Sequence, residues 1–150
     1  KAEEAITRLA RVGYDHTIGY LVGGIEAWQQ SGKEIDTITS ISAEAFENDI
    51  NKGIVTNALD VRKPGEYEAE HLEVTLSRPL DYINDWTGEI NPDQTYYIHC
   101  AGGYRSMIAA SILKSRGIEN VIDVAGGYGA IKNTNLKRTD FACPSKAMKV

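Results

Sequence analysis

Cysteine is nearly absent from this chain, with only Cys100 and Cys143 among 150 residues. A single pair so far apart builds no disulfide framework and fits no zinc-ligand spacing. A reducing, cytoplasmic setting is therefore the expectation, with no metal and no other cofactor. Long apolar runs are missing too. The longest, around Met107 to Leu113, falls far short of the roughly 20 residues that a membrane-spanning helix needs, so no membrane partner is expected. Basic residues form no block and do not interleave with aromatics. Against 16 Lys and Arg stand 21 Asp and Glu, a formal net charge of −5, which argues against nucleic acid as a partner. The first residues, Lys1-Ala2-Glu3-Glu4, carry neither an initiator methionine nor a signal-peptide pattern. The sequence opens in mid-pattern, which creates the expectation of a piece cut from a longer protein.

What is present is ordinary for a globular protein: 42% apolar and 25% charged residues. The length suits one domain that buries roughly two-thirds of the surface its unfolded chain exposes. Apolar spacing predicts helices over Glu3 to Arg11 (with Gly13 at the exit) and Ile25 to Gln30. It predicts another from a Ser42 cap through Ala45, Phe46 and Ile50 to Gly53. Further helical patterns cover Glu66 to Ala69, Tyr82 to Trp86, Ser106 to Arg116, and the stretch from Gly126-Gly127 to about Lys132. Apolar, β-favouring runs at Thr17 to Leu21, Ile35 to Ile41, Ile54 to Leu59, Thr95 to His99 and Val121 to Val124 read as strands. Apolar strands alternating with helices imply an α/β fold whose parallel sheet is covered on both faces.

An internal repeat divides the chain. Ala5 to Leu9, Gly13, Ile18 and Gly23-Gly24 line up with Ala109 to Leu113, Gly117, Ile122 and Gly126-Gly127, with one extra residue before the first glycine pair. Both copies read helix, glycine, strand, double glycine, helix. Residues 1–33 are thus expected to be the end of a preceding repeat, residues 34–135 a complete domain, and residues 136–150 a tail. A helix-strand-helix piece cannot bury its own apolar face, so residues 1–33 should dock on something.

The chemistry concentrates in Tyr96-Tyr97-Ile98-His99-Cys100-Ala101-Gly102-Gly103-Tyr104-Arg105-Ser106. A strand pattern ends in a thiol, two glycines follow, and a helix pattern begins. Free amides and the helix dipole at such a turn favour an anion, which a thiolate or persulfide is. The alternative for Cys100 is a small buried hydrophobe. His99 precedes it on the strand, so its side chain should point to the opposite face. Cys143 reads as an incidental thiol in the tail, with a resolving role the alternative.

These residues resemble a rhodanese domain. Cys100, Gly103, Arg105 and Ser106 meet its C-x-x-G-x-R-S pattern. Asp60, Val61, Arg62, Glu66, Tyr67 and His71 meet its upstream signature, and Gly126-Gly127 its closing segment. Glu70 stands where glycine is frequent, and Val74-Thr75 replaces Gly-Ala. The resemblance implies a rhodanese-like α/β fold with a parallel sheet of about five strands and helices on both faces. It implies sulfur transfer: Cys100 takes sulfane sulfur from a donor, thiosulfate or an organic persulfide, and passes it to a thiol or other nucleophile.

In that scheme Ala101, Gly102, Gly103, Tyr104, Arg105 and Ser106 form the anion-binding loop, with backbone amides holding the charge. Arg105 either orients an anionic donor or salt-bridges to a carboxylate. Ser106 either caps the helix, the default, or donates to the sulfur. Asp60, Arg62 and Glu66 form a structural ion-pair cluster, and His71 anchors a loop. Two other classes compete on this architecture. A phosphatase or arsenate reductase carries one more residue between cysteine and arginine than the four present here, and a non-catalytic regulatory or docking module often lacks the cysteine. Residues Gly19 to Trp28 further resemble the end of a rhodanese repeat in metallo-β-lactamase-fold fusions, which implies such a domain upstream.

Overall fold

The computed structural model describes residues 1–10 and 15–142. Arg11, Gly13 and Cys143 lie outside the described residues, and with them the expected exit of the first helix and any role for the second thiol. The described residues fall into two units, 1–37 and 38–142.

The first unit holds α1 (Ala2–Ala10) and α2 (Gly24–Gln30). Trp28 Nε1 donates to the Glu34 carbonyl at 2.8 Å, closing the segment after α2. The strand predicted at Thr17 to Leu21 does not form, and Ile18 and Val22 are exposed. A strand needs a neighbour to satisfy its amides and carbonyls, and the described residues of this unit supply none.

The second unit contains β1 (Thr39–Ile41), α3 (Ala43–Asn51), β2 (Ala58–Asp60), α4 (Pro64–Ala69), β3 (Thr75–Ser77), α5 (Ile83–Trp86), β4 (Tyr96–His99), α6 (Tyr104–Ser115), β5 (Val121–Val124) and α7 (Gly127–Ile131). The strands form one sheet in the order β1-β5-β4-β2-β3, every pair parallel. β1 and β2 are shorter than their apolar runs, because each pairs over only three residues with its neighbours. β3, an edge strand reading Thr-Leu-Ser, carries too little apolar pattern to be seen in the sequence. No helix among the described residues is long and apolar enough to cross a membrane.

Strand alternation divides the core between the two faces. On β4, Tyr96 and Ile98 join Leu59, Trp86, Ala109, Ala110 and Leu113 on the α5–α6 side. Tyr97 joins Phe46, Val124, Tyr128 and Ile131 on the α3–α7 side. α6 buries Ser106, Ala109, Ala110 and Leu113, an i, i+3, i+4, i+7 stripe.

The strand order also locates the site. β2 continues to β3 on one side while β4 continues to β5 on the other, so their connections diverge and leave a crevice outside their carboxyl ends. The loops carrying Arg62, Glu66 and Cys100 emerge there.

That crevice is braced by α7. Tyr128 N–H donates to the Cys100 carbonyl at 2.6 Å, and Gly129 N–H to the Ala101 carbonyl at 2.9 Å. A side chain at Gly127 would put its Cβ 2.4 Å from the Cys100 oxygen, and Gly127 also has φ +54°. Gly127→Ala is expected to lower folding stability by at least about 2 kcal/mol, from left-handed strain plus the clash. Urea unfolding of the two proteins measures it, and equal midpoints would contradict the close approach.

Candidate active site

Cys100 follows β4 at the mouth of α6, and the residue is only 1% exposed. Gly103 lies in the left-handed region, φ +99°, at the position just before α6. This conformation turns its amide onto Cys100 Sγ, with N–H donating at 3.1 Å. The Ser106 hydroxyl reaches Sγ at 3.5 Å and the Gly103 carbonyl at 3.1 Å. Burial pushes the Cys100 thiol up. The Ser106 hydroxyl, its amide and the amides of Gly102 and Gly103 outweigh burial, and the net direction is down, toward thiolate.

Ser106 therefore does not cap the helix. Gly103 occupies the cap position, α6 begins at Tyr104, and the hydroxyl lies between the Gly103 carbonyl and the sulfur. Tyr104 is 80% exposed at the loop's edge.

Arg105 turns away from the sulfur toward α4. Its two terminal nitrogens bind the two Glu66 oxygens at 2.6 and 2.9 Å, a bidentate pair. Glu66 also accepts from the Lys63 amide at 3.1 Å, so one carboxylate caps its own helix and holds the loop arginine. The hydrogen bond from Arg105 is the main reason that the Glu66 carboxyl is lowered to about 2.

Asp60 and Arg62 form a separate, buried pair. Arg62 Nε lies 2.9 Å and Nη2 2.6 Å from Asp60 Oδ2, and Nη2 also reaches the Glu70 carbonyl at 2.8 Å. The guanidinium lies 3.9 Å from the Tyr128 ring centre. Burial raises the Tyr128 phenol to about 12, with the Glu70 carboxylate adding to the shift.

His71 packs on α4. Its ring stacks on Tyr67 at 3.7 Å, Nδ1 lies 2.7 Å from the Tyr67 carbonyl, and its backbone pairs with Thr139. His99 lies on the face opposite Cys100, as alternation requires, with its ring 6.0 Å from that of Tyr128. Burial pushes His99 down, toward the neutral form. No three His, Cys, Asp or Glu side chains among the described residues are grouped to hold a metal ion.

The structure thus brings Cys100, Gly102, Gly103 and Ser106 around one sulfur atom and ties Arg105 to Glu66. Asp60 and Arg62 pair with each other, and His71 packs against Tyr67 and Thr139. Sequence reasoning missed Tyr128 and Gly129, whose amides hold the loop carbonyls, and Tyr128's ring beneath Arg62. The Gly126-Gly127 pair was the available signal, but its purpose depends on contact with a loop about 25 residues earlier in the chain.

Residues 42–134 match the family model described as the rhodanese-like domain. "Putative sulfur carrier protein YrkF" of Bacillus subtilis is 34% identical over 99 residues, which cover 66% of this chain and 54% of that protein. The chain therefore spans about half the length of this curated relative. The thiosulfate sulfurtransferase PspE of Escherichia coli is 31% identical over 81 residues, covering 53% of this chain and 77% of that one. A crystal structure of a rhodanese-like domain protein from Staphylococcus aureus superposes with a TM-score of 0.61 at 29% identity, over 67% of this chain and 97% of the other.

Two measurements probe this geometry. Ser106→Ala removes the hydroxyl from the sulfur and should raise the Cys100 thiol pKa, read from the pH profile of iodoacetamide alkylation. An unchanged profile would show that the amides suffice. The Glu66 carboxyl is lower in the folded chain than when unfolded, so its stabilisation is complete above its ordinary value of 4.5 and is lost as pH falls through about 2. The stability gap between the native chain and Glu66→Gln should accordingly be largest at neutral pH and close between those values. Chemical denaturation across that range checks the sign.

Proposed function

The chain belongs to the rhodanese-like domain family, and on that footing we propose that it is a sulfurtransferase working through a Cys100 persulfide. The observation that carries the reading is the sulfur's surroundings. Cys100 Sγ accepts from the Gly103 amide, lies within reach of the Ser106 hydroxyl and is shifted toward thiolate.

The Cys100 thiolate attacks the outer sulfur of the donor. A bond from Cys100 Sγ to that sulfur forms, the donor's own S–S bond breaks, and the electron pair leaves with sulfite or with an organic thiolate. The resulting persulfide anion keeps its charge facing the amides of Gly102, Gly103 and Ser106, which need no reorganisation to stabilise it. An acceptor thiolate then attacks the outer sulfur and releases Cys100 as thiolate. Electrons balance in each half-reaction without a redox partner, so the step calls on neither metal nor cofactor. His99 is no base for this chemistry, because its ring lies across the sheet from Cys100, beside that of Tyr128.

The phosphatase or arsenate reductase reading is weaker on the same geometry. Four residues between Cys100 and Arg105 make a narrow loop. Arg105, which would clamp a tetrahedral oxyanion, is instead bidentate on Glu66. A docking module without chemistry would have no use for a thiol pulled toward thiolate. The donor and acceptor in this reading are small molecules, the setting is cytoplasmic, and the resemblance of residues 19–28 supports a metallo-β-lactamase-fold domain upstream.

Incubation with thiosulfate or glutathione persulfide, followed by intact mass measurement, is the direct test. The native chain should gain one sulfur atom and Cys100→Ser none. No gain with either donor, together with hydrolysis of an aryl phosphate, would replace this reading with the phosphatase one.

A further inference from the structure

The first unit repeats part of the second in backbone conformation as well as in sequence. Gly23 and Gly24, with φ +84° and +60°, stand where Gly126 and Gly127 have φ +73° and +54°. Each pair opens a short helix, α2 in one unit and α7 in the other. A Cβ on Gly23 would come 2.9 Å from the Ala27 Cβ, and one on Gly126 2.8 Å from the Ala130 Cβ. Residues with side chains resist this left-handed conformation, so two matched glycine pairs carry the repeat into the structure.

The surroundings of the two copies differ. Val124, Tyr128 and Ile131 are at most 4% exposed in the core on the α3–α7 side, with Ile122 packed against them. Tyr20, Ile25, Trp28 and Ile18 hold the aligned places and are 69%, 60%, 40% and 94% exposed. Gly127 clears the way for the Cys100 carbonyl, whereas a Cβ on Gly24 would meet only the Glu26 side chain among the described residues, at 3.6 Å. The first copy thus has the residues that line a core and admit a loop, and the described residues of its unit supply neither. Large apolar side chains exposed together on one such face mark an interaction surface.

Topology narrows what can cover it. In the second unit the place between β1 and β4 is filled by β5, which pairs with both. A second copy of the chain has the same place filled. The partner that fits is a sheet with counterparts of β1 to β4 and no last strand of its own. We infer that Ile18, Tyr20, Ile25 and Trp28 dock on such a sheet, that of a second rhodanese-like domain encoded ahead of Lys1. Residues 17–21 enter it as the counterpart of β5, and α2 packs as the counterpart of α7. Chain order sets the location: β1 to β4 all precede α6, and α1 is the counterpart of α6 in the repeat. Gly24 then admits a loop carbonyl of that domain, as Gly127 admits that of Cys100. The run without a neighbour in its own unit gains one on each side, which satisfies its amides and carbonyls. None of this depends on the chemistry performed at Cys100.

The test is amide hydrogen exchange, read by mass spectrometry on the full-length encoded protein and on the 150-residue chain. In the full-length protein the amides of residues 17–21 should exchange at least about a hundredfold more slowly than in the 150-residue chain, approaching those of Val121–Val124. Ile18→Asp and Tyr20→Asp in the full-length protein should each abolish that difference. Protection at Val121–Val124 and the pH profile of Cys100 alkylation should stay as they were, which separates loss of docking from misfolding of the second unit.

Equally fast exchange in both proteins overturns the inference, as does an encoded protein with no run of strands and helices ahead of Lys1. Slow exchange in the 150-residue chain overturns it too. If that protection grows with protein concentration, a second copy is the cover, and if it does not, the chain covers the face itself.

Discussion

The buried pair between Asp60 and Arg62 holds the site end of the sheet together. Asp60 is fully buried at the carboxyl end of β2, and Arg62 is 5% exposed two residues on. Two charges removed from water are tolerable only when each satisfies the other. Loss of one partner would leave the second stranded, at a cost of about 3–5 kcal/mol. The pair reaches well beyond itself. Arg62 binds the carbonyl of Glu70 after α4 and lies over the ring of Tyr128 in α7. The amide of Tyr128 in turn holds the carbonyl of Cys100. The backbone of Cys100 is thus suspended from a carboxylate on the neighbouring strand.

Around the sulfur itself the charge is carried by backbone and hydroxyl rather than by cations. The one arginine in the loop is spent on Glu66, and that contact links the start of α4 to the first turn of α6. The consequence is a rigid loop whose amides are already aimed at the sulfur. In the proposed sulfur transfer, such a site suits one extra negative sulfur atom better than a large, highly charged oxyanion. Dipoles fixed in a nearly buried place act at low effective dielectric, which is why a thiol that burial alone would push up is drawn down instead.

Much of the architecture was legible in the amino-acid pattern because apolar periodicity reports burial directly. The runs ending at Asp60, His99 and Val124 became the three inner strands, and the helical pattern from Ser106 to Arg116 became most of α6. Where pattern and structure part, pairing is the cause. Thr17 to Leu21 has the composition of a strand and no neighbour among the described residues, whereas Thr75 to Ser77 has little of that composition and a neighbour in β2. At the site, Cys100, the two glycines and Arg105 stood out by spacing. The role of Ser106 did not, since a serine near a helix start reads as a cap until the position of the sulfur is known.

The sequence by itself determined that this chain forms an α/β domain of rhodanese type, with one thiol at the turn between a strand and a helix. Residue type and short-range spacing suffice for that, because propensity, periodicity and turn chemistry act within a few residues. Only the tertiary structure decided that Arg105 serves Glu66 rather than a ligand, that Ser106 serves the sulfur, and that Gly127 clears the way for the Cys100 carbonyl. The Arg105 and Gly127 contacts join parts of the chain brought together only by strand order and core packing, and the Ser106 contact depends on how the loop closes over the sulfur.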